Sequence, residues 1–272
     1  MSAEMQLKIA ALQMISTRDV AENLDNATQM IAEAASNGAQ VIVLPEFFAK
    51  ITTSDDPCRT NHAEDFGNGV IQSYLKDIAV LYGVYIIAGS ILLNSSTANK
   101  FYNSCLVTSS DGLILAHYDK VHLFKFDDGS QRYDESEILL AGNKVVSCDI
   151  LGFKFGLAIC YDLRFPELFR ALGAVDIIVL PSAFTYQTGL AHWELLIRAR
   201  AVENQCYFLG VNQGGMHETG RRTYGHSMLV DPWGEVLVSA LEGEKIIYAT
   251  INSGRIREVR SKLPALEHRR IS

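Results

Sequence analysis

Residues 155–167 of the chain read FGLAICYDLRFPE. The residues before Cys160 are small or apolar and include one turn residue, Gly156, which predicts a buried strand with the thiol at its end. Pro166 then begins a helical pattern that continues to Leu172. A helix N-terminus beside a cysteine favours the thiolate, so this arrangement predicts a reactive Cys160. Taken alone, however, the stretch is explained slightly better by a structural cysteine in the core.

Composition limits the kinds of protein that this chain can be. Its 272 residues are enough for one large α/β domain or two small ones. The chain is 48% hydrophobic and 20% charged, which is typical of a globular protein. A net charge of −7 argues against a surface that binds polyanions, so we expect no nucleic-acid partner. No run approaches the roughly 20 apolar residues of a membrane helix, so we also expect no membrane partner.

The cysteine pattern indicates the redox state of the cellular compartment in which the protein resides. The five cysteines, at positions 58, 105, 148, 160 and 206, are odd in number and show neither CxxC nor His-rich spacing. This favours reduced thiols over a disulfide framework or a zinc site, and we expect the four besides Cys160 to be structural. Residues 1–6 are polar and carry no signal-peptide pattern. The sequence therefore predicts a cytoplasmic protein without a bound metal.

The first half of the chain alternates strand and helix patterns. Helical periodicity covers 19–36, which ends at Asn37-Gly38, and 70–82. The run at 41–44 is continuously apolar, as expected for a strand that is covered on both faces. The predicted strands of this half are 7–13, 41–44, 84–91, 101–108 and 113–118.

The second half repeats this plan. Its predicted strands are 152–160, 176–181 and 207–212, its helices are 167–172 and 192–204, and a hairpin spans 227–238. The sequence IIVLPS at 177–182 echoes VIVLPE at 41–46. These patterns predict an α/β fold in which two similar halves face each other across a pseudo-two-fold axis, within a single domain that covers residues 1–272.

The C-terminal tail, residues 253–272, is basic and polar. It is too short to fold alone, and we expect it to pack at a subunit interface. A solvated tail is nearly as consistent with the composition.

Three polar residues follow apolar strand patterns directly: Glu46, Lys120 and Cys160. Each alone is readily explained as a turn, surface or core residue. Together, a thiol, a carboxylate and an ammonium at the rim of a core would supply a nucleophile, its base and an oxyanion donor. Desolvation at such a rim would also raise the pKa of the carboxylate toward the range of a general base.

Three separated stretches, LPE at 44–46, YDKVHL at 118–123 and ICYDLRFPE at 159–167, carry a family resemblance. In order and approximate spacing the chain resembles the nitrilase superfamily of carbon–nitrogen hydrolases. The resemblance implies a four-layer α-β-β-α sandwich whose outer helices pair into homodimers or larger homo-oligomers. It also implies catalysis without a cofactor.

The resemblance further implies the catalytic roles. Cys160 is the nucleophile and Glu46 the general base. Lys120 stabilises the tetrahedral oxyanion, helped by the backbone N–H of Tyr161. A Cys–His dyad with His122 is the less favoured alternative, because Lys120 matches the family position.

The family usually adds a second glutamate after the lysine strand. Glu135 matches that place and is the fourth expected catalytic residue. Asp134 and Glu137 are close enough to exchange with it if the alignment slips by a few positions, and an exposed loop acid remains an alternative.

Residues 181–185 and 191–201 are similar to the small-amide branch of the family, which holds omega-amidases and deaminated-glutathione amidases. Residues 224–234 and 263–270 look closest to the second group. The implied activity is a thiol amidase that splits deaminated glutathione into 2-oxoglutarate and cysteinylglycine. The alternatives are an omega-amidase acting on 2-oxoglutaramate or 2-oxosuccinamate, and a non-catalytic binding protein on the same fold.

Four residues are expected to contact a small anionic amide. Arg164 is placed to pair with a substrate carboxylate in bidentate fashion, although an ion pair with Asp162 or Glu167 explains it equally well. Phe184 and Thr185 are expected to line the acyl pocket. The remaining substrate-binding residue is Tyr161, next to the nucleophile.

Overall fold

The computed structural model describes residues 4–127, 129 and 132–271, and in that part of the chain it has fifteen strands and five α-helices. The elements of the first half are β1 (Gln6–Gln13), α1 (Val20–Ser36), β2 (Val41–Val43), α2 (Val70–Tyr82), β3 (Tyr85–Ile87), β4 (Ile91–Asn94), β5 (Phe101–Thr108) and β6 (Ile114–Asp119). Two short strands, β7 (Lys125–Asp127) and β8 (Arg132–Asp134), follow before the second half.

The second half contains the remaining elements: β9 (Ser147–Ile150), β10 (Phe153–Leu157), α3 (Pro166–Ala171), β11 (Ile177–Ser182), α4 (Tyr186–Asn204), β12 (Tyr207–Asn212), β13 (Met228–Val230), β14 (Val236–Ser239), β15 (Lys245–Asn252) and α5 (Ser253–Lys262). Two 3₁₀ turns, Glu135–Glu137 and Cys160–Arg164, lie at the positions where sequence analysis placed candidate catalytic residues.

Two large sheets form the centre of the molecule. The first has the order β15-β1-β2-β3-β5-β4, with β6 added beside β5, and the second has the order β14-β13-β12-β11-β10-β9. The strands β1, β2 and β3 are parallel to one another, as are β10, β11 and β12. This shared arrangement is the internal repeat that the sequence predicted.

The first sheet is buried on both faces, which explains its nearly continuous apolar strands. On β1, Ile9 and Ala11 belong to the core that joins the two sheets, whereas Ala10 and Leu12 belong to the core beneath α1 and α2. This alternation follows from the two-residue period of a strand. Helices α1 and α2 therefore form one outer layer.

The other outer layer is formed by α3 and α4, which pack on the second sheet. Phe169 of α3 contacts Phe208 of β12, with ring centroids 5.7 Å apart. Trp193 and Ile197 of α4 approach Gly210, where a Cβ atom would lie 2.7 and 2.6 Å from their side chains. The four layers predicted from the sequence are confirmed.

Several elements differ from the sequence-based expectations. The stretch 84–91 is not one strand, because β3 ends at Ile87 and β4 begins at Ile91, with Gly89 at φ +51° between them. Helix α4 begins at Tyr186, six residues before the predicted start at His192. Strand β15, which no pattern predicted, pairs with β1 over eight residues and completes the first sheet.

The tail folds back on its own chain. Its first ten residues form α5, with Ile256 and Val259 buried. Arg255 forms a 2.8 Å salt bridge with Asp231, and Arg260 donates a 3.1 Å hydrogen bond to the carbonyl of Gln205. A subunit interface formed by the tail stays a prediction. In the described part of the chain, no helix has both the length and the apolar character needed to span a bilayer.

Candidate active site

Cys160 lies just beyond the end of β10, at the first residue of a 3₁₀ turn. Its φ of +44° is in the left-handed region that a residue with a Cβ rarely adopts, so the backbone is strained at this point. The side chain is 8% exposed and reaches a cavity. The predicted strand-to-helix turn is therefore present, in a tighter form than an α-helix would give.

Asp162 holds this turn in place. Its buried carboxylate accepts hydrogen bonds from the Ile159 N–H at 2.9 Å, the Tyr118 hydroxyl at 2.7 Å and the His122 N–H at 3.0 Å. It also lies 2.7 Å from Nδ1 of His122, whose ring stacks on Phe165. These contacts tie the thiol segment to the lysine segment, and they engage His122 away from a dyad with the thiol.

Glu46 follows β2 and is 1% exposed. One carboxylate oxygen accepts from Asn103 Nδ2 at 2.8 Å and from Lys120 Nζ at 3.0 Å, and the other accepts from the Ala183 N–H at 2.8 Å. Three donors from three different segments fix the orientation of the carboxylate. The site is therefore built before any substrate arrives.

A glycine permits this local packing. The loop that carries Glu46 crosses the end of β3 at Gly89, where a Cβ atom would lie 1.9 Å from the carbonyl oxygen of Pro45. A side chain at this position would push the two segments apart and move the carboxylate.

Lys120 follows β6, is 1% exposed, and lies between two carboxylates. Its Nζ is 3.0 Å from Glu46 Oε1 and 2.9 Å from Glu135 Oε2. Glu135 is further held by the Phe124 N–H, which donates to Oε2 at 2.7 Å. The predicted ammonium thus points inward and has two anionic partners.

The neighbours of Glu135 face elsewhere. Asp134 pairs with the exposed Lys125 at 2.9 Å and caps the 3₁₀ turn. Glu137 is exposed and lies 3.4 Å from Arg132. Of the three acids that the sequence left open, only Glu135 reaches the lysine.

Burial and the neighbouring carboxylates shift the pKa of the Lys120 ammonium in opposite directions. Burial alone would lower the pKa of Lys120, but the carboxylates of Glu135 and Glu46 outweigh it and raise that pKa above its usual value. Burial raises the pKa of Glu135, and the charge of Lys120 only partly offsets this. Lys120 is consequently a permanent cation in this cluster.

The thiol of Cys160 does not behave as the local sequence suggested. Burial, followed by the negative charge of Glu46, raises its pKa well above the usual value, and Lys120 offsets this only in part. The expectation that the helix N-terminus favours a resting thiolate is wrong, because desolvation and two carboxylates dominate over one short turn. A proton acceptor is therefore needed at the moment of attack.

The thiol opens into a small cavity. Its lining includes all of the predicted substrate-binding residues and three of the four predicted catalytic ones: Glu46, Glu135, Cys160, Tyr161, Arg164, Phe184 and Thr185. The fourth catalytic residue, Lys120, lies directly behind the two glutamates. All eight predicted residues therefore meet at one place.

Arg164 lies over the aromatic part of this cavity. Its guanidinium carbon is 5.4 Å from the ring centroid of Phe184 and 5.8 Å from that of Tyr161, and two of its nitrogens lie 3.3 Å from His192 Nδ1. Among the described residues Arg164 forms no salt bridge, so the structure does not contain the alternative ion pair with Asp162 or Glu167. The charge of Arg164 is available to a ligand.

Sequence reasoning missed several residues near the site. Asn103 and Asp162 hold the candidate catalytic segments in place, and only the motif around Cys160 gave a signal for Asp162. Arg221, for which the sequence gave no signal, lines the cavity and donates to the Ala183 carbonyl at 3.1 Å. Lys50 lines an adjoining chamber, and no sequence pattern indicated it.

The other thiols are not uniformly structural. Cys105 and Cys206 are fully buried, but Cys58 is exposed, so its assignment as a structural residue is wrong. Burial raises the pKa of Cys206 to about 12. In the chain as described, no cluster of three or more His, Cys, Asp or Glu residues has metal-binding geometry.

The chain matches a known protein family. The family model for carbon–nitrogen hydrolases matches residues 8–261. The chain belongs to the carbon–nitrogen hydrolase family. As a member, it is a hydrolase that acts on the carbon–nitrogen bond of linear amides.

The named relatives of this hydrolase include two kinds of amidase. It is 39% identical to a deaminated glutathione amidase of Synechocystis over 96% of this chain and 97% of that protein. It is 36% identical to the omega-amidase NIT2 of Mus musculus, over 97% and 95% of the two chains. Among solved structures, Nit3 of Saccharomyces cerevisiae, a member of branch 10 of the nitrilase superfamily, superposes with a TM-score of 0.88 at 31% identity, covering 98% and 97% of the chains.

Proposed function

We propose that Cys160 is the nucleophile of this amidase and Glu46 its general base. Glu46 takes the proton of the thiol as sulfur attacks the amide carbonyl, which supplies the acceptor that a protonated thiol needs. Lys120 and the Tyr161 N–H stabilise the oxyanion of the tetrahedral intermediate. The Tyr161 N–H suits this role because the first N–H groups of a helical turn have no acceptor within the turn.

The proposed cycle closes in two steps. The carbon–nitrogen bond breaks, Glu46 returns its proton to the leaving amine, and a thioester remains on Cys160. Water, deprotonated by Glu46, then attacks the thioester and releases the carboxylic acid and the thiol. Glu135 acts through Lys120, which it holds at 2.9 Å, and is therefore a positioning residue.

For the substrate, we propose deaminated glutathione, which yields 2-oxoglutarate and cysteinylglycine. Arg164 would bind the carboxylate of the 2-oxoglutaryl part, since its guanidinium has no anionic partner among the described residues. One observation favours deaminated glutathione over a simple amide such as 2-oxoglutaramate. A second chamber adjoins the thiol cavity and shares Phe124, Glu135 and Arg221 with it, which gives a leaving group larger than ammonia a place beside the thiol.

A direct comparison of two amides tests this substrate. We expect kcat/KM for deaminated glutathione to exceed that for 2-oxoglutaramate by about 10-fold or more, because the dipeptide adds contacts that ammonia cannot make. Both reactions release 2-oxoglutarate, so one coupled assay measures both under identical conditions.

Each other outcome has a distinct meaning. A preference for 2-oxoglutaramate would overturn the deaminated glutathione assignment and favour the omega-amidase alternative. No turnover of either amide would favour a non-catalytic binding protein on this fold.

Glu46→Gln should lower kcat and increase the reactivity of the Cys160 thiol. Losing the base should lower kcat by about 10²–10⁴-fold. Losing its negative charge should lower the pKa of the Cys160 thiol, because that charge is a main cause of the raised value. Alkylation of Cys160 by iodoacetamide near pH 8 should therefore become faster, as followed by mass spectrometry of the labelled peptide.

The matched control is Glu33→Gln, which removes an exposed acid on α1 that lines neither the thiol cavity nor the adjoining chamber. The Cys58→Ser background removes the exposed thiol that would otherwise label first. If alkylation and turnover fell together in Glu46→Gln, Glu46 would be supporting the fold rather than acting as the base.

We also propose a cytoplasmic location and a homo-oligomeric assembly. All five cysteines are free thiols, which suits a reducing compartment. Helix α4 exposes Leu190 and Leu195, each about two-thirds accessible, and Trp233 is exposed as well. Exposed apolar residues of this size support burial against a second subunit.

A further inference from the structure

The chamber beside the thiol cavity contains a buried cation, Lys50, that has no counterion in the part of the chain that the structure describes. Lys50 is 8% exposed, and its Nζ donates to Asn61 Oδ1 at 2.8 Å. Within the described residues, no carboxylate lies within salt-bridge distance of this ammonium. Burying an unpaired ammonium costs free energy, so a sequence that keeps one there gains something other than stability.

A second polar group in the same chamber also lacks a partner. The Nδ1 atom of His62 is buried and makes no hydrogen bond with the described residues. Burial, followed by the charge of Lys50, lowers the pKa of His62 to about 4. The imidazole is therefore neutral near pH 7, and in the tautomer with a proton on Nδ1 it can donate to an anion.

The acids that line this chamber are already engaged. Asp134 pairs with Lys125 at 2.9 Å, and Glu135 pairs with Lys120 at the same distance. Besides Lys50, the other charged groups of the lining are Arg59, which lies 3.9 Å from the carboxylate of Glu137, and Arg221. The Nε atom of Arg221 is also buried, and it has no hydrogen-bond partner among the residues that the structure describes. The free charge of the chamber is consequently positive.

We propose that this chamber is a carboxylate-binding subsite for the leaving amine, with Lys50 as the charge partner and His62 as a second donor. The inference rests on the proposed amidase function and deepens it. The substrate class is then an amide that is anionic at both ends, with an acyl carboxylate at Arg164 and a carboxylate on the amine at Lys50. A dipeptide amine such as cysteinylglycine fits this description.

The substrate pair that tests the subsite differs in one group. Deaminated glutathione ends in a glycine carboxylate, and its C-terminal glycinamide analogue presents a neutral amide at the same position. Wild-type enzyme should prefer the acid by about 10- to 100-fold in kcat/KM, mostly through KM, because a charge-assisted contact distant from the scissile bond contributes uniform binding. In Lys50→Met this preference should fall to about threefold or less.

Two further measurements separate binding from structure. Lys154→Met removes one exposed positive charge far from the chamber and should keep the wild-type preference. The thermal midpoint of Lys50→Met should equal or exceed that of wild type, since the variant removes a buried unpaired charge. Equal losses on both substrates, together with a lower midpoint, would show that Lys50 is a structural residue and would overturn the proposal.

Failure of the substrate assignment can be told apart from failure of the subsite. If wild type does not hydrolyse deaminated glutathione, calorimetric titration with cysteinylglycine and with cysteinylglycinamide tests the chamber alone. A preference for the acid that is lost in Lys50→Met supports the subsite. Equal binding of the two dipeptides, or none, overturns it.

Discussion

Replacing Cys160 by alanine is expected to reduce amide turnover by more than about 10⁴-fold while the protein remains folded, since removal of a covalent nucleophile leaves only binding and oxyanion stabilisation. The backbone strain at φ +44° is unchanged, because alanine and cysteine both carry a Cβ atom. The thiol borders a cavity, so its loss enlarges an existing space instead of opening a new void. Steady-state rates and thermal unfolding of the same preparation measure both effects.

Cys105→Ala provides the matched control. Cys105 is fully buried between the sheets, so its truncation should cost about 1 kcal/mol of stability with turnover retained. The two variants should therefore show opposite patterns of activity and stability. Residual activity of Cys160→Ala near the wild-type level would show that another group attacks the amide.

The strand pattern of the sequence was informative because both faces of the first sheet are covered. The continuous apolar run at 41–44 requires that both faces of the strand be buried. The similar sequence at 177–182 forms the corresponding strand of the second sheet. Strand β15 was missed for the opposite reason. On this edge strand only Ile247 and Ile251 are buried, four residues apart, and the other positions are half-buried or exposed, so no two-residue period marks it as a strand.

The catalytic grouping could be predicted only in part. Apolar strand patterns place Glu46, Lys120 and Cys160 at strand ends, but spacing along a chain does not say which strand ends are neighbours. The family resemblance supplied that step. Asp134 is the N-cap of the 3₁₀ turn and Glu135 is its first residue. Hydrophobic periodicity cannot show which of two adjacent acids points inward.

Long-range electrostatics explains the remaining errors. The local turn at Cys160 suggested a thiolate, yet the raised pKa results from burial and from a carboxylate that another segment contributes. Lys50 was passed over because an isolated lysine in a polar loop is usually solvated. Only the folded chain shows that Lys50 is buried with no carboxylate partner among the described residues.

Lys120→Met should impair activity and stability together. Turnover should fall by about 10²–10³-fold or more, because the main oxyanion donor is lost. Stability should fall by about 3–5 kcal/mol, since removing one partner of a buried ion cluster leaves Glu46 and Glu135 facing each other without a cation. Urea unfolding at pH 7 measures the second effect.

The stability loss of Lys120→Met should depend on pH with a definite sign. Burial already raises the pKa of Glu135 above its usual 4.5, and loss of the lysine removes the charge that opposes this. A carboxyl whose folded-state pKa exceeds its unfolded-state pKa binds more protons when folded, so stability decreases as pH rises above about 4.5. The variant should consequently lie closer to wild type at pH 5 than at pH 7.

Lys100→Met is the control that separates charge from hydrogen bonding. Lys100 donates to the carbonyls of Ser136 and Glu137 at 2.7 and 2.9 Å and has no buried carboxylate beside it. Its loss should cost about 1 kcal/mol, with the stability difference from wild type nearly independent of pH. If Lys120→Met showed the same small, pH-independent loss, the two glutamates would not depend on the lysine for their charge. The catalytic cluster would then need a different source of electrostatic balance.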